Sequence, residues 1–178
     1  MITFNKKKKY AKKYYELLNM VYKEYLDYFE TSKELQELFK NKNKLENEFI
    51  IILLFFTTRR IYDYIPNSKL SQKILNEIHN LYYNDLKVNY KKSHEELQEI
   101  CSILNYRYKY YAESYDDTKN LLLTLSRKFI KNFTDDEEKI KDLLVIMSIS
   151  FWFVKINEQL NKIILMLNDE YGFSKVTE

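Results

Sequence analysis

Six lysines lie within eight residues near the start of the chain, a pattern that favours binding to phosphate groups. They are Lys6, Lys7, Lys8, Lys9, Lys12 and Lys13. The chain carries a net charge of +3, so the remainder without these six lysines is net −3. Clustered ammonium groups bind phosphates by counterion release, without sequence preference, and they also attract anionic membrane surfaces. The alternative interpretation of residues 1–13 is a solvated, frayed start of a helix.

Aromatic and basic residues alternate in a second segment, residues 106–111 (YRYKYY). Stacking on aromatic rings combined with positive charge is a common way to hold single-stranded nucleic acid. On a helix, however, Arg107 and Lys109 point to different faces, while Tyr108 and Tyr111 continue a buried stripe. This placement favours an ordinary helix with core and surface residues. If the segment does bind phosphate, Arg107 and Lys109 are the additional candidates that would assist the N-terminal lysines.

An acidic group at one helix junction is the pattern closest to a metal site. It comprises Glu113, Asp116 and Asp117. Residues 116–120 (DDTKN) resemble the aspartate-rich metal motif of terpene synthases and prenyl transferases, which would imply a metal enzyme. Those enzymes are far longer and this sequence has no second motif of that kind, so we interpret Asp116 and Asp117 as caps of the following helix. A hydrolase or metal enzyme built on this group is the least supported function.

The other residues of catalytic type are too few for a familiar active site. The two histidines, His79 and His94, form neither a Glu-x-x-His pair nor a His-Glu-x-x-His motif. The single cysteine, Cys101, falls on or beside an apolar stripe, where a thiol is usually inert. One glycine cannot supply a Gly-rich phosphate loop or a Gly-x-Ser-x-Gly elbow. We therefore predict no catalytic residue, no metal and no cofactor.

Three consecutive aromatic residues, Phe151, Trp152 and Phe153, mark the candidate protein interface. On a helix they point in three directions about 100° apart. Either this helix lies at the centre of the fold, or one of its faces meets a partner. Aromatic side chains are frequent anchors of protein interfaces, so the second interpretation predicts a binding surface at these residues.

The scarcity of glycine and proline indicates the fold that carries these residues. The 178 residues include one Gly and one Pro, where average usage would give roughly twelve and nine. Tight hairpin turns need residues with positive φ, usually Gly, so sandwiches, barrels and Rossmann folds are disfavoured. The single cysteine, and the lack of an apolar stretch directly after the lysines, predict a cytoplasmic (intracellular) protein.

Apolar periodicity and capping signals predict the helices. They cover residues 6–29, 31–40, 45–64, 69–89, 93–115, 121–133 and 135–168. Capping boxes at Thr31, Ser93 and Thr134 mark helix starts. Pro66 and Gly172 mark helix ends, because the residue before proline leaves the α region and glycine favours the left-handed C-cap.

Two apolar runs identify the most buried helices of the predicted fold. Residues 49–56 are apolar on every face of their helix, and residues 143–154 open the long final helix. Both fall short of the ~20 residues that span a bilayer, so we expect no transmembrane segment. The prediction is an all-α, single-domain antiparallel bundle over residues 1–178, with six or seven helices and a long, strongly apolar C-terminal helix.

Two functions agree with these features. The first is a non-catalytic helical interaction protein, which binds another protein or a second copy of itself. The second is a nucleic-acid or polyanion-binding protein that uses the Lys-rich N-terminal helix. The sequence alone determines neither the partner nor the oligomeric state.

Overall fold

The computed structural model describes residues 4–32, 35, 42–116, 119–134 and 137–173, and these residues contain helices and no strand. The elements are α1 (Phe4–Thr31), α2 (Lys42–Tyr64), α3 (Ser68–Val88), α4 (His94–Ala112), a 3-10 turn (Glu113–Asp116), α5 (Leu121–Phe133), α6 (Glu137–Lys141) and α7 (Leu143–Tyr171). The predicted all-α bundle is confirmed, as is its long apolar last helix. The short helix predicted to end near Lys40 lies outside the described residues.

The chain divides into two compact units. Unit 1 comprises Met1–Met20, Phe56–Ile103 and Gln159–Glu178, and unit 2 comprises Val21–Phe55 and Leu104–Glu158. Helices α1, α2, α4 and α7 each contribute residues to both units. The single-domain organisation of the chain therefore stays a prediction.

Unit 1 contains two tyrosines, Tyr10 and Tyr14, whose rings are buried and whose hydroxyls find partners. The hydroxyl of Tyr10 donates to Asn168 Oδ1 at 3.0 Å, and the amide of Asn168 donates to the Tyr64 carbonyl oxygen at 3.0 Å. The hydroxyl of Tyr14 donates to Thr57 Oγ1 at 3.2 Å. Burial raises the pKa of both Tyr10 and Tyr14. These bonds tie α1 to α2 and α7 without leaving the buried hydroxyls unsatisfied.

Gly172 ends α7 in the way that the sequence predicts. Its φ is +65°, the left-handed region that glycine adopts without strain. The Gly172 N–H donates to the Asp169 carbonyl at 3.3 Å, and the Phe173 N–H donates to the Asn168 carbonyl at 2.9 Å. This pair of bonds is a Schellman motif. It turns Phe173 back into unit 1, where its buried ring lies 5.0 Å from that of Tyr10.

The buried stripe of α1 departs from the prediction at its end. Six apolar residues recur along α1 at alternating spacings of three and four, which predicts one buried stripe. Five of these positions are buried: Ala11, Tyr14, Leu18, Val21 and Tyr25. The sixth predicted position, Tyr28, is 48% exposed, and its neighbour Phe29 is fully buried instead. Because a helix advances 100° per residue, position 29 returns to the direction of position 11 while position 28 does not. A strict seven-residue repeat drifts by about 20° per heptad, which accounts for the error.

Helix α2 confirms the predicted helix that is apolar on every face. All residues from 51 to 57 are buried, so no side of this part of the helix faces solvent. The helix ends at Tyr64, directly before the Ile65-Pro66 pair. Since proline pushes the preceding residue out of the α region, this end agrees with the prediction.

One predicted capping box is confirmed and a second has a different role. The Ser93 N–H donates to Glu96 Oε2 at 2.7 Å, and the Glu96 N–H donates to Ser93 Oγ at 3.2 Å. These reciprocal bonds start α4. Thr31, in contrast, is the last residue of α1 and donates its hydroxyl to the Tyr28 carbonyl at 3.1 Å. The partner expected in its capping box, Glu34, lies outside the described residues.

The final helix begins later than predicted. Thr134 closes α5, with its N–H donating to the Ile130 carbonyl at 3.0 Å. Asp142 then separates α6 from α7, and its Oδ1 accepts the N–H groups of Leu144 at 2.9 Å and Val145 at 3.4 Å. An aspartate in this position is a strong N-cap. The predicted continuous helix over residues 135–168 is therefore wrong at its start; residues 135–136 lie outside the described chain.

His79 is a titratable group held inside unit 1. Its Nδ1 lies 2.8 Å from the Leu75 carbonyl oxygen, to which it donates when protonated. Burial favours the neutral imidazole and lowers the pKa of His79, and the bond to Leu75 offsets part of this effect. The folded protein consequently resists protonation of this ring.

We predict that His79 makes the protein less stable in mild acid. Because the unfolded chain takes up the proton at a higher pH than the folded protein, the free energy of unfolding falls as pH drops below about 6.5. The loss stops once the folded imidazole is also protonated. Denaturant unfolding between pH 5 and 8 should show this loss in the wild type and a smaller one in His79→Gln. The exposed His94 provides a matched control, since His94→Gln leaves the contacts of His79 in place.

Candidate interaction surfaces

The three consecutive aromatic residues of α7 take three different environments in unit 2. Phe153 is fully buried, with its ring 5.4 Å from that of Phe129. Trp152 is partly buried, and its ring centroid lies 3.7 Å from that of Tyr28. Phe151 is 55% exposed. Two of the three predicted interface residues therefore pack within unit 2, and Phe151 is the one that faces outward.

Phe151 belongs to a larger apolar surface, which we call the α7 face. Its members are Leu143, Leu144, Met147 and Phe151, exposed by 57%, 76%, 54% and 55%. Residues 144, 147 and 151 are spaced by three and four, so they lie on one side of the helix. Single exposed apolar residues are ordinary, whereas a contiguous group of four on one helix is a candidate interaction surface.

The side of α7 opposite this face carries Val145, Ile149 and Phe153, which are buried in unit 2, and Ser150 lies beside the face. The Ser150 hydroxyl lies 2.8 Å from the Ser126 hydroxyl and 2.8 Å from the Ile146 carbonyl. Of the helices in the described part of the chain, α7 alone is long and apolar enough to cross a membrane, with 39% of its most apolar window buried. A core helix of a soluble protein passes the same test, so this property is weak evidence. The buried Ser150 contacts agree with a helix that packs against protein.

A buried polar cluster, formed by Glu48, Arg107, Tyr111 and Asn132, lies in unit 2. Arg107 Nε is 3.2 Å from Glu48 Oε2. The Tyr111 hydroxyl donates to Glu48 Oε1, and the Asn132 amide donates to the same oxygen at 2.8 Å. Arg107 also donates to Asn132 Oδ1. Glu48 is 4% exposed and Tyr111 is fully buried.

The groups of this cluster bind one another, which indicates a structural role. Burial raises the pKa of Glu48, while the Tyr111 hydrogen bond, the Arg107 charge and the Asn132 bond act in the opposite direction. Burial first, and then the charge of Glu48, raise the pKa of Tyr111 well above its usual value. Charged and polar groups buried in this way destabilise the fold when a partner is removed.

The cluster gives Arg107 a partner within unit 2. Its guanidinium pairs with Glu48, and its predicted role in phosphate binding stays a prediction. Lys109, the other candidate in this segment, is exposed. Both lie in unit 2, whereas the N-terminal lysines lie in unit 1. Glu48 was not predicted as a member of this cluster. The signal that could have indicated it is the position of an acidic residue beside the apolar run of α2.

Two of the N-terminal lysines are engaged with the end of α7 in unit 1. Lys13 Nζ is 2.7 Å from Glu170 Oε2. This bond raises the pKa of Lys13. Lys6 Nζ lies 5.8 Å from the centre of the Phe173 ring, within range of a cation–π contact. Helix α1 already begins at Phe4, so the lysines occupy regular helix rather than an irregular tail.

The other lysines of this segment face outward to different degrees. Lys7 is partly buried, whereas Lys8, Lys9 and Lys12 are exposed. We call these three residues the lysine strip. They share one side of α1, since Lys12 follows Lys8 by four positions and Lys9 by three.

The acidic junction does not form a metal site in the described residues. Glu113 pairs with Lys128 at 3.1 Å, and Asp116 is exposed at the end of the 3-10 turn. Asp117 lies outside the described residues. No group of three or more His, Cys, Asp or Glu side chains in the described part of the chain is arranged to hold a metal ion. Cys101 is partly buried and takes part in a hydrogen bond with Tyr83.

Compared with known proteins, the chain matches no family model, no curated protein and no solved structure.

We predict that the buried polar cluster stabilises unit 2. Arg107→Met leaves the carboxylate of Glu48 buried without its cation, which should lower the free energy of unfolding by about 2–3 kcal/mol. Adding Glu48→Gln removes the unpaired charge while keeping an oxygen for Tyr111, so the double variant should recover roughly half of that loss. Denaturant unfolding measures both effects.

The exposed Arg127 offers a matched control in the same unit. Arg127→Met should change the free energy of unfolding by no more than about 0.5 kcal/mol. Additive losses for Arg107→Met and Glu48→Gln would contradict the coupling inferred from the structure.

Proposed function

We propose that this protein is a non-catalytic interaction protein that associates with a second copy of itself through the α7 face. The exposed apolar side chains of Leu143, Leu144, Met147 and Phe151 are the observation that carries the proposal. Removing such side chains from water favours association by about 25 cal/mol for each Å² of apolar surface.

The charge of unit 2 favours a protein partner over an anionic membrane. Unit 2 contains 14 Lys and Arg residues and 16 Asp and Glu residues, a net charge of −2. Helices that lie on membranes usually combine an apolar face with a basic polar face. The residues directly before the α7 face include Glu137, Glu138 and Asp142, and these acidic side chains would be repelled by anionic lipid.

The spacing of the α7 face fits another helix. Apolar residues at positions i, i+3 and i+7 form the seam by which two helices pack side by side. A second copy supplies the same seam, and a two-fold axis lets one surface pair with itself.

The charges at the two ends of the face agree with an antiparallel pair. Asp142 precedes the face and Lys155 follows it, with Lys155 Nζ 5.5 Å from the centre of the Phe151 ring. If two α7 helices cross between Met147 and Ser148, Asp142 of one copy and Lys155 of the other lie about 3 Å apart along the axis. Lys155 Nζ also lies 3.2 Å from Glu158 Oε2 of its own copy, so each end of the interface would bring Asp142 of one copy to the Lys155–Glu158 pair of the other.

We predict that Leu144→Glu combined with Phe151→Glu abolishes self-association. Two large apolar side chains per copy would lose their burial and bring like charges together, so the dissociation constant should rise at least about a hundredfold. Sedimentation velocity over a range of protein concentrations measures this change. Val88→Glu with Tyr90→Glu is the control, because both residues are exposed but lie in unit 1.

Two outcomes would contradict the proposal. A wild-type protein that stays monomeric at high micromolar concentration would exclude self-association of functional strength. Flotation with neutral lipid vesicles, lost in the Leu144→Glu, Phe151→Glu variant, would identify a membrane as the occupant of the α7 face instead.

A second prediction concerns the antiparallel geometry. Asp142→Asn removes the charge but keeps a good N-cap for α7, and Lys155→Gln removes the opposite charge. Each change should weaken the dimer by about threefold, and the double variant should be no weaker than either single one. Dissociation constants from sedimentation equilibrium test this. Independent, additive effects would exclude the Asp142–Lys155 pairing while leaving the α7 face itself in place.

A further inference from the structure

We infer that the lysine strip of α1, formed by Lys8, Lys9 and Lys12, binds the phosphate backbone of a nucleic acid. This site lies in unit 1 and uses none of the residues of the α7 face. It is a second binding activity, and it does not depend on self-association.

The three ammonium groups of the strip are close enough to act on one ligand. Side chains three and four positions apart on a helix have Cβ atoms about 5–6 Å from each other. All three side chains are exposed, so a ligand in solvent can reach them, and Lys8 also interacts within the protein. Like charges at this spacing repel one another, and a bound anion would reduce that repulsion.

The position of the strip on α1 adds to this repulsion. Lys8 and Lys9 lie in the second turn of α1, next to the first-turn amides where the backbone dipole places partial positive charge. No acidic residue occupies the first turn of α1 to balance it. The start of α1 is therefore more positive than its side chains alone would make it, a field that favours anionic ligands.

The neighbouring lysines hold the strip in place. Lys13 pairs with Glu170, and Lys6 lies over the Phe173 ring. On the inward side of the same turns, Tyr10 is buried and bound to Asn168. The helix that presents the strip is thus fixed on unit 1 before any ligand arrives, which lowers the entropic cost of binding.

The charge of the whole unit acts in the same direction. Unit 1 contains 15 Lys and Arg residues against 10 Asp and Glu residues, a net charge of +5, whereas unit 2 has a net charge of −2. An excess of positive charge on one part of a protein steers anionic partners toward it.

The residues around the strip favour a nucleic-acid backbone over bases or lipid. On the outward side of α1 the strip is bordered by Asn5 and by the carboxylate of Glu16, which lies one turn after Lys12 and marks the end of the phosphate site. Base stacking would require exposed aromatic rings beside the lysines, and insertion into lipid would require apolar anchors. Among the side chains that the structure describes on this side, the exposed apolar residue Met20 lies about two turns beyond Lys12. We therefore expect contacts to phosphates without preference for base sequence.

The experiment measures fluorescence anisotropy of a labelled 20-base-pair DNA duplex and a labelled single-stranded RNA of mixed sequence. For three phosphate contacts, log Kobs should fall with log [salt] with a slope of about −3 on the duplex. A second duplex of different sequence should bind equally well. The variant Lys8→Gln, Lys9→Gln, Lys12→Gln should lose at least about tenfold in affinity at low salt, with a slope close to zero.

A matched control separates the strip from the net charge of unit 1. Lys69, Lys73 and Lys91 are exposed lysines of unit 1 outside α1. Their replacement by Gln removes the same three charges and should weaken binding by no more than about threefold. Replacing the strip by three arginines should preserve binding, since arginine keeps the charge. Thermal unfolding of each variant shows whether the fold is intact.

Several outcomes would overturn this inference. One is an equal loss of nucleic-acid affinity in the control variant with Lys69, Lys73 and Lys91 replaced. The others are a salt slope near zero for the wild type, and tighter binding of the wild type to phosphatidylserine vesicles than to either nucleic acid. The Leu144→Glu, Phe151→Glu variant should retain nucleic-acid affinity within about twofold. Failure of the lysine strip and failure of the α7 face are therefore distinguishable results.

Discussion

The enclosure of α2 is the constraint on which unit 2 depends. A helix with apolar side chains all round is stable only when other helices cover every side. Rings from α1, α4 and the 3-10 turn supply much of this cover: Tyr22 and Phe29 pack on Phe49, and Tyr108, Tyr111 and Tyr115 pack on Phe55. A tyrosine can bury its ring and still place its hydroxyl at a polar partner. The seventeen tyrosines of the chain therefore suit this architecture.

Features set by neighbouring residues were predictable from the sequence, and features set by distant ones were not. The Ser93 box and the Gly172 cap each depend on a few consecutive residues, and α5 occupies the predicted residues 121–133. The Glu48–Arg107 pair joins residues almost sixty positions apart. No periodicity relates them, so Arg107 was interpreted by its local setting of tyrosines and basic residues alone.

The first half of α7 shows a different limit. When every face of a helix is apolar, the pattern does not reveal which face its neighbours leave open. The structure separates Phe153, in the core, from Phe151, at the surface. The start of this helix was misplaced because Thr134 with the acidic residues after it gave a stronger capping signal than Asp142 alone. Which side-chain oxygen accepts the free N–H groups of the first helical turn depends on three-dimensional geometry.

The divided chain of unit 1 also determines when this part of the protein can be completed during synthesis. The segments of unit 2 end at Glu158, whereas unit 1 also needs the segment that begins at Gln159. Tyr10 therefore cannot make its contacts with Asn168 and Phe173 until these residues have been synthesised. During that interval the first half of α1 is an amphipathic helix without its final neighbour, a state in which nascent chains are open to chaperones and to aggregation.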